Sequence, residues 1–334
     1  MTPKRALGRL LAITLSIAAS LAWAEAITRW LKPTPRGQII RANRGPGEWE
    51  VTIRHGQPTW RDAGSAPRRN EDCPKPGTRD VVLLGTSITF GAGLSPEDSP
   101  SARLQADLDA TEPGVWCVMD LSQPAYTGGN RVAELTDALE TLHPDVVLWE
   151  AWGTDADRYT IVGTDAYNFG PFDPDAAGLP YAVPLPAPVS AWLFQNSRLY
   201  EYAMIALGTG HKTDEERWAP WMTTGLPAVA DAARAGGGVF GIYAPIGMER
   251  APETWIDVPG LPTRMERPWA LAHDVPYLHL AEPMRGADIT RIRFDTVGHL
   301  NAEGAKLFAR ALADWLRADL APRLPQATAT TPPS

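Results

Sequence analysis

Ser87 stands in the stretch "VVLLGTSITFGAGL", residues 81–94, where an apolar run ends in Gly85, Thr86 and Ser87. A serine hydroxyl attacks at neutral pH only when a neighbouring base takes its proton. Far along the chain, "FDTVGHLNAEG" sets Asp295 and His299 four residues apart, just ahead of a helical pattern. At that spacing one turn brings a carboxylate beside an imidazole, which orients the base and stabilises its protonated form. The chemistry these three residue types would perform together is nucleophilic acyl transfer.

A glycine-rich turn of this kind can also bind phosphate or simply redirect the chain. A phosphate loop would need G-x-x-x-x-G-K-[ST] or G-x-G-x-x-G, and neither occurs here. A structural strand-to-helix turn would use glycine for positive φ and Thr or Ser as a cap. For a lone G-x-S that plainer role prevails, so position has to decide. In a doubly wound sheet, ligands bind at the carboxyl ends of the strands. Ser87 follows the first core strand, and the Asp295 and His299 pair follows the last. A helix beginning after Ser87 would aim N–H groups and its positive dipole end at an oxyanion. The remaining histidines are worse placed: His143 precedes a strand, His279 lies within one, and His55 and His211 fall in less regular segments.

The elements that must carry these residues form a rhythm. Strands are expected at 81–84, 115–121 and 146–150, helices near 99–108 and 131–142, and further strands in "GGVFGIYAPI" and "PYLHLAEP". A helix over 302–320 has apolar residues at three-to-four spacing. Strands alternating with amphipathic helices imply right-handed βαβ units. The expected fold is therefore a three-layer α/β/α domain over 79–322, with a flavodoxin-like parallel sheet of about five strands. Residues 32–78, rich in Pro, Gly and Arg, read as an extended arm in which "EWEVTIRH" resembles an edge strand. The stretch 159–217 is too long for a simple connection and is expected to form an inserted cap, with Trp192, Phe194 and Tyr200 as pocket-lining or packing aromatics. The tail, 323–334, reads as disordered.

Composition narrows the partners. A formal net charge of −8 leaves no basic footprint for nucleic acid. The two cysteines, Cys73 and Cys117, have no zinc-type spacing, so neither a metal nor a cofactor is implied. In an oxidising compartment they are free to pair; otherwise Cys117 is a buried strand thiol and Cys73 a loop thiol. Lys4, Arg5 and Arg9 precede an apolar run from Leu10 to Ala24, which marks residues 1–31 as a signal peptide or an N-terminal membrane anchor. "Ala22-Trp23-Ala24" offers a cleavage site, whereas Ile27, Trp30 and Leu31 continue the apolar character past it. Either way the domain is expected outside the cytoplasm.

These blocks resemble the SGNH (GDSL-like) hydrolase superfamily. "GTSITFG" is similar to its nucleophile block, with Ser87 at the serine position. "DLSQPAYTGG" is similar to the second block, with Ala125 where the family has glycine. "WGTDADR" is similar to the third, with Thr154 where it has asparagine, and "DTVGHLNAEG" to the fourth. The leader also resembles that of exported or membrane-anchored bacterial members. The resemblance implies a serine esterase in which Ser87 attacks, His299 takes the proton and Asp295 orients His299. The N–H groups of Ser87 and Ala125, with Thr154, would hold the oxyanion. It implies O-acyl esters of carbohydrates or small acyl esters as substrates. An acyltransferase, or a degenerate glycan-binding component of the cell envelope, is the alternative. The departures are Thr86 for aspartate, Ala125 for glycine, Thr154 for asparagine and one extra residue between Asp295 and His299. Thr154 weighs most: a hydroxyl is shorter than a carboxamide, and one lost oxyanion donor costs on the order of 100- to 1000-fold in rate. Asn130, in the neighbouring turn, is a candidate replacement donor.

Overall fold

The computed structural model describes residues 3–31, 38–41, 50–55, 57–61, 73–157, 160–162, 165–168, 185–186, 189, 192–193, 196–209, 213–246, 256–257, 259–293 and 299–325. Its strands, in chain order, are β1 (Gln38–Arg41), β2 (Glu50–Arg54), β3 (Gln57–Arg61), β4 (Arg79–Leu84), β5 (Trp116–Asp120), β6 (Val146–Glu150), β7 (Thr160–Val162), β8 (Asp165–Asn168), β9 (Val239–Ala244) and β10 (Tyr277–His279). Its helices are α1 (Pro3–Leu31), α2 (Ser87–Phe90), α3 (Pro100–Thr111), α4 (Gly128–Thr141), α5 (Arg198–Thr209), α6 (Asp214–Pro220), α7 (Leu226–Ala235), α8 (Leu261–Ala272), α9 (Ile289–Ile292) and α10 (Ala302–Trp315).

The near-continuous apolar strands are those of a sheet covered on both faces. Five of them pair in parallel in the order β5-β4-β6-β9-β10. Counted along the sheet's own strands this is 2-1-3-4-5, with the order reversing at β4 and β6, and that reversal is where such a sheet opens a crevice. Alternate residues serve opposite faces. Val81, Leu83, Val146 and Leu148 pack with Leu104 and Leu108 of α3 and Phe308 and Leu312 of α10. Val82, Leu84, Val147 and Trp149 pack with Leu135 and Ala138 of α4, Val229 and Ala230 of α7, and Ala270 of α8. Each fully buried aliphatic chain of this kind is worth about 1.5–3 kcal/mol. The strand ends are thus fixed by the core, and the turns they carry inherit that rigidity.

Local signals set the helix starts. Ser99 caps α3, its hydroxyl accepting from Ala102 N–H at 3.3 Å, with Pro100 as the first helical residue. Thr127 and Asn130 form a capping box, so α4 begins at Gly128, three residues earlier than its periodicity suggests. The helix expected over 302–320 is α-helical to Trp315 and then widens into a π turn over Leu316–Leu320. The helix expected after Ser87 is a single turn, ended by Gly91 at φ 70°. Cys73 and Cys117 form a disulfide with a Cα–Cα distance of 5.7 Å, tying the residues before β4 to β5.

The chain divides into two compact units, residues 1–41 with 160–212, and residues 42–159 with 213–334. In the first unit, β1 pairs antiparallel with β8, and β8 with β7, so part of the arm and part of the insertion share one small sheet. In the second, "EWEVTIRH" is not an edge strand of the main sheet: β2 and β3 form their own hairpin, turning at His55 with φ 47°. Arg54 and His55 both bond to Asp137 of α4, at 2.5 and 2.9 Å. Phe194, His211 and the tail from 326 onward lie outside the described residues.

Candidate active site

Ser87 is the first residue of α2, at the carboxyl end of β4, beside the point where the strand order reverses. His299 approaches it from a sequence distance of 212 residues, with Nε2 2.9 Å from Ser87 Oγ. That distance lies within the 2.6–3.2 Å reach of a general base. His299 is held by its neighbours: Leu300 bridges to Arg293, and Asn301 caps α10 by accepting from Glu303 and Gly304 N–H, both at 3.0 Å. The Asn301 amide donates in turn to the carbonyls of Arg291 and Arg293. Gly304 completes this clamp, since a Cβ there would stand 2.0 Å from the Ile292 carbonyl oxygen. Asp295 lies outside the described residues.

Behind the serine sits a fully buried carboxylate that sequence reasoning missed. Glu150, the last residue of β6, accepts from Thr86 N–H at 3.0 Å and from Thr86 Oγ1 at 2.5 Å. Thr89 Oγ1 also donates to it, and the Tyr243 hydroxyl stands 2.7 Å from Thr89 Oγ1. Burial and the nearby Glu150 charge push the Tyr243 phenol well above its ordinary range, so it remains a neutral donor. Thr86, where the resembled block has aspartate, is therefore the group bound by an acid rather than the acid itself. Gly85 is required here: a Cβ would come within 2.4 Å of Glu150 Oε2 and 2.6 Å of Thr89. The only signal in the sequence was an acidic residue closing an otherwise apolar strand.

The turns after β5 and β6 form the other side of the site. Ala125 is exposed and holds φ 63°, the left-handed conformation that glycine adopts without cost. The strain for a residue with a Cβ is about 1–2 kcal/mol. Thr154 has a partner for its hydroxyl in the neighbouring turn. Its Oγ1 donates to the Tyr126 carbonyl at 3.1 Å, tying the two turns together. Gly128 and Gly129 N–H, at the start of α4, donate to the carbonyls of Thr154 and Asp157 at 3.0 and 3.1 Å. The approach is so close that a Cβ on Gly128 would fall 1.9 Å from the Asp155 carbonyl oxygen. Asn130 is fully buried, and its amide oxygen accepts from both the N–H and the hydroxyl of Thr127 at 2.8 Å.

A second buried group supports this side. Arg131 is fully buried, pairs with Asp155, donates to the Glu150 carbonyl and lies 4.3 Å over the Trp149 ring. Burial draws its guanidinium down to about 10, against the attraction of Glu150 and Glu266, so it stays charged at neutral pH. Asp155 also accepts from Trp149 Nε1 at 3.1 Å and Trp152 N–H at 3.0 Å. Glu266, fully buried in α8, accepts from Trp221 Nε1 at 2.7 Å, and burial pushes its carboxyl up to about 8. Trp221 stacks on Trp149 with ring centroids 5.3 Å apart. Past the ends of β6 and β9, a cavity of about 240 Å³ is lined by Ala151, Trp152, Pro245, Leu261, Pro262 and Thr263. Among the described residues no cluster of His, Cys, Asp and Glu could hold a metal ion.

No family model matches the chain, and no curated protein does. Several solved structures are similar to it. The crystal structure of TesA shares 15% identity over 72% of this chain and 100% of its own, with a TM-score of 0.45. The psychrotrophic esterase EstA from Pseudoalteromonas sp. shares 14% over 72% and 97%, with a TM-score of 0.44. A carbohydrate acetylesterase family member from Sinorhizobium meliloti shares 13% over 73% and 100%, with a TM-score of 0.42.

Proposed function

We propose that the protein is an SGNH-type serine ester hydrolase acting outside the cytoplasm on O-acyl esters, either small acyl esters or acylated carbohydrates. The observation that carries this reading is the 2.9 Å approach of His299 Nε2 to Ser87 Oγ at the carboxyl edge of the sheet. Ser87 attacks the ester carbonyl as His299 takes its proton; His299 then returns the proton to the departing alcohol. Water, deprotonated by the same imidazole, attacks the acyl-serine, and breaking the Ser87 ester bond frees the acid. Asp295 orients His299. The N–H groups of Ser87 and Ala125 hold the developing oxyanion. Thr154 serves by tying the Ala125 turn to its neighbour through the Tyr126 carbonyl. The apolar cavity beyond β6 and β9 suits the acyl chain or the sugar face of a small ester. The Cys73–Cys117 disulfide and the apolar first helix favour the extracytoplasmic setting.

One observation favours a second reading, a glycan-binding or acyltransferase component. The Thr154 hydroxyl is spent on Tyr126, which leaves the oxyanion with backbone donors alone. Hydrolysis of p-nitrophenyl acetate by the purified protein and by Ser87→Ala separates the alternatives. Turnover that disappears with Ser87 supports the hydrolase. Wild-type rates equal to the Ser87→Ala background would exclude it and leave the binder.

A further inference from the structure

The first unit of the chain holds a contact that bears on how the protein meets a membrane, independently of its chemistry. Leu7–Leu31 is a continuous helical stretch of 25 residues whose most apolar 18-residue window has a mean hydropathy of 1.8, with no residue of that window fully buried. At 1.5 Å per residue it is about 37 Å long, enough for a hydrocarbon core of about 30 Å. The uninterrupted apolar run, Leu10 to Ala24, is about 15 residues, short of the roughly 20 needed to span. A spanning helix must therefore carry Glu25 and Arg29 at its far membrane boundary. The basic residues Lys4, Arg5 and Arg9 assign the near end to the cytoplasmic side.

At that boundary the two charges are occupied. Glu25 accepts from Ser197 Oγ at 2.7 Å and from the N–H groups of Arg198 and Leu199 at 2.9 Å, capping the start of α5. Arg29 pairs with Glu25 at 2.6 Å and donates to the Asn196 carbonyl. A carboxylate at the edge of a bilayer is costly unless it is paired and hydrogen-bonded, and residues 196–199 supply those bonds. Ala24, Glu25 and Thr28 form the partly covered face of the helix, whereas Trp23, Ile27 and Trp30 are 71%, 50% and 79% exposed. One turn before Asn196, whose amide donates to the Trp192 carbonyl at 2.8 Å, Trp192 is itself 61% exposed. Exposed tryptophans gathered at one end of an apolar helix match the aromatic belt of a membrane boundary.

We propose that α1 is a retained membrane anchor and that Trp192 and the start of α5 at Asn196–Leu199 rest in the outer boundary of the lipid bilayer beside it, pinned there by Glu25. The Ala22-Trp23-Ala24 site then lies inside a helix whose next turn is built into the fold, unlike the exposed loops where proteolysis concentrates.

The test uses the full-length protein in vesicles of phosphatidylethanolamine and phosphatidylglycerol. Both native cysteines are in the disulfide, so Trp192→Cys can take an environment-sensitive fluorophore selectively, with vesicles lacking nitroxide lipid as the control. The label at 192 is expected to shift to the blue and to be quenched by lipid carrying a nitroxide near the headgroup. Glu25→Ala is expected to abolish the quenching at 192, and Glu25→Gln to retain most of it. Sequencing of the membrane-bound protein is expected to find residues upstream of Glu25. A label at 192 whose emission matches the dye in water and is not quenched, or a mature protein that begins at Glu25, overturns the proposal. Quenching that survives Glu25→Ala removes Glu25 as the pin.

Discussion

The two sides of the candidate site are built differently. On the nucleophile side, Thr86, Thr89 and Tyr243 converge on the buried Glu150, and His299 meets Ser87 at 2.9 Å. On the other side, proposed to hold the oxyanion, Ala125 holds a left-handed conformation in an exposed turn, and the Thr154 hydroxyl donates to the Tyr126 carbonyl. The nucleophile side is assembled from a buried carboxylate and hydroxyl bonds, the other side from hydrogen bonds that tie two turns together.

The largest effect is expected where the oxyanion side is anchored. Arg131→Met leaves Asp155 charged and buried without its partner, which typically costs about 3–5 kcal/mol. Urea unfolding is expected to show that loss; a change within about 0.5 kcal/mol, the size usual for surface substitutions, would mean that the pair does not anchor the turns. The next effect depends on pH. Glu266 has its folded carboxyl raised from 4.5 to about 8 by burial. The folded state therefore binds the extra proton, and the stability this confers is complete below the unfolded value and lost as pH rises through the folded one. Between about pH 5 and 8 the wild type should lose stability relative to Glu266→Gln, measured by melting temperature across that range. Parallel curves for the two proteins would contradict the assignment.

The smallest effect separates the two sides most finely. Thr154→Val removes the bond to Tyr126 without removing a donor to the oxyanion, so kcat should fall by less than about tenfold. If Thr154 instead faced the oxyanion, the fall would be on the order of 100- to 1000-fold. Steady-state kinetics on a p-nitrophenyl ester distinguish the two outcomes.

The sheet was legible because βα alternation and near-continuous apolar strands are local signals, and the capped helices follow from Ser99 and Asn301. Ser87 and His299 could be paired because both follow core strands at the carboxyl edge. The supporting groups were hidden for a physical reason. Glu150, Arg131 and Asp155 are charged types that usually face water, and only tertiary structure reveals that Arg131 pairs with Asp155 and that Thr86 and Thr89 bond the buried Glu150 carboxylate. The tie from Thr154 to Tyr126 depends on side-chain direction, which spacing does not encode. Pairing of Gln38–Arg41 with Asp165–Asn168 joins segments more than a hundred residues apart and leaves no local mark. The hairpin at 50–61 carries a turn signal in His55-Gly56 that a single edge strand does not use.

The central claim is that the attacking side is intact although the holding side is altered. Labelling with a fluorophosphonate probe, followed by mass mapping of the modified peptide, tests it most directly. The wild type is expected to be labelled at Ser87, with the signal lost in Ser87→Ala and sharply reduced in His299→Ala. Absence of labelling above the Ser87→Ala background, in protein that retains its folded circular dichroism, would contradict an activated serine.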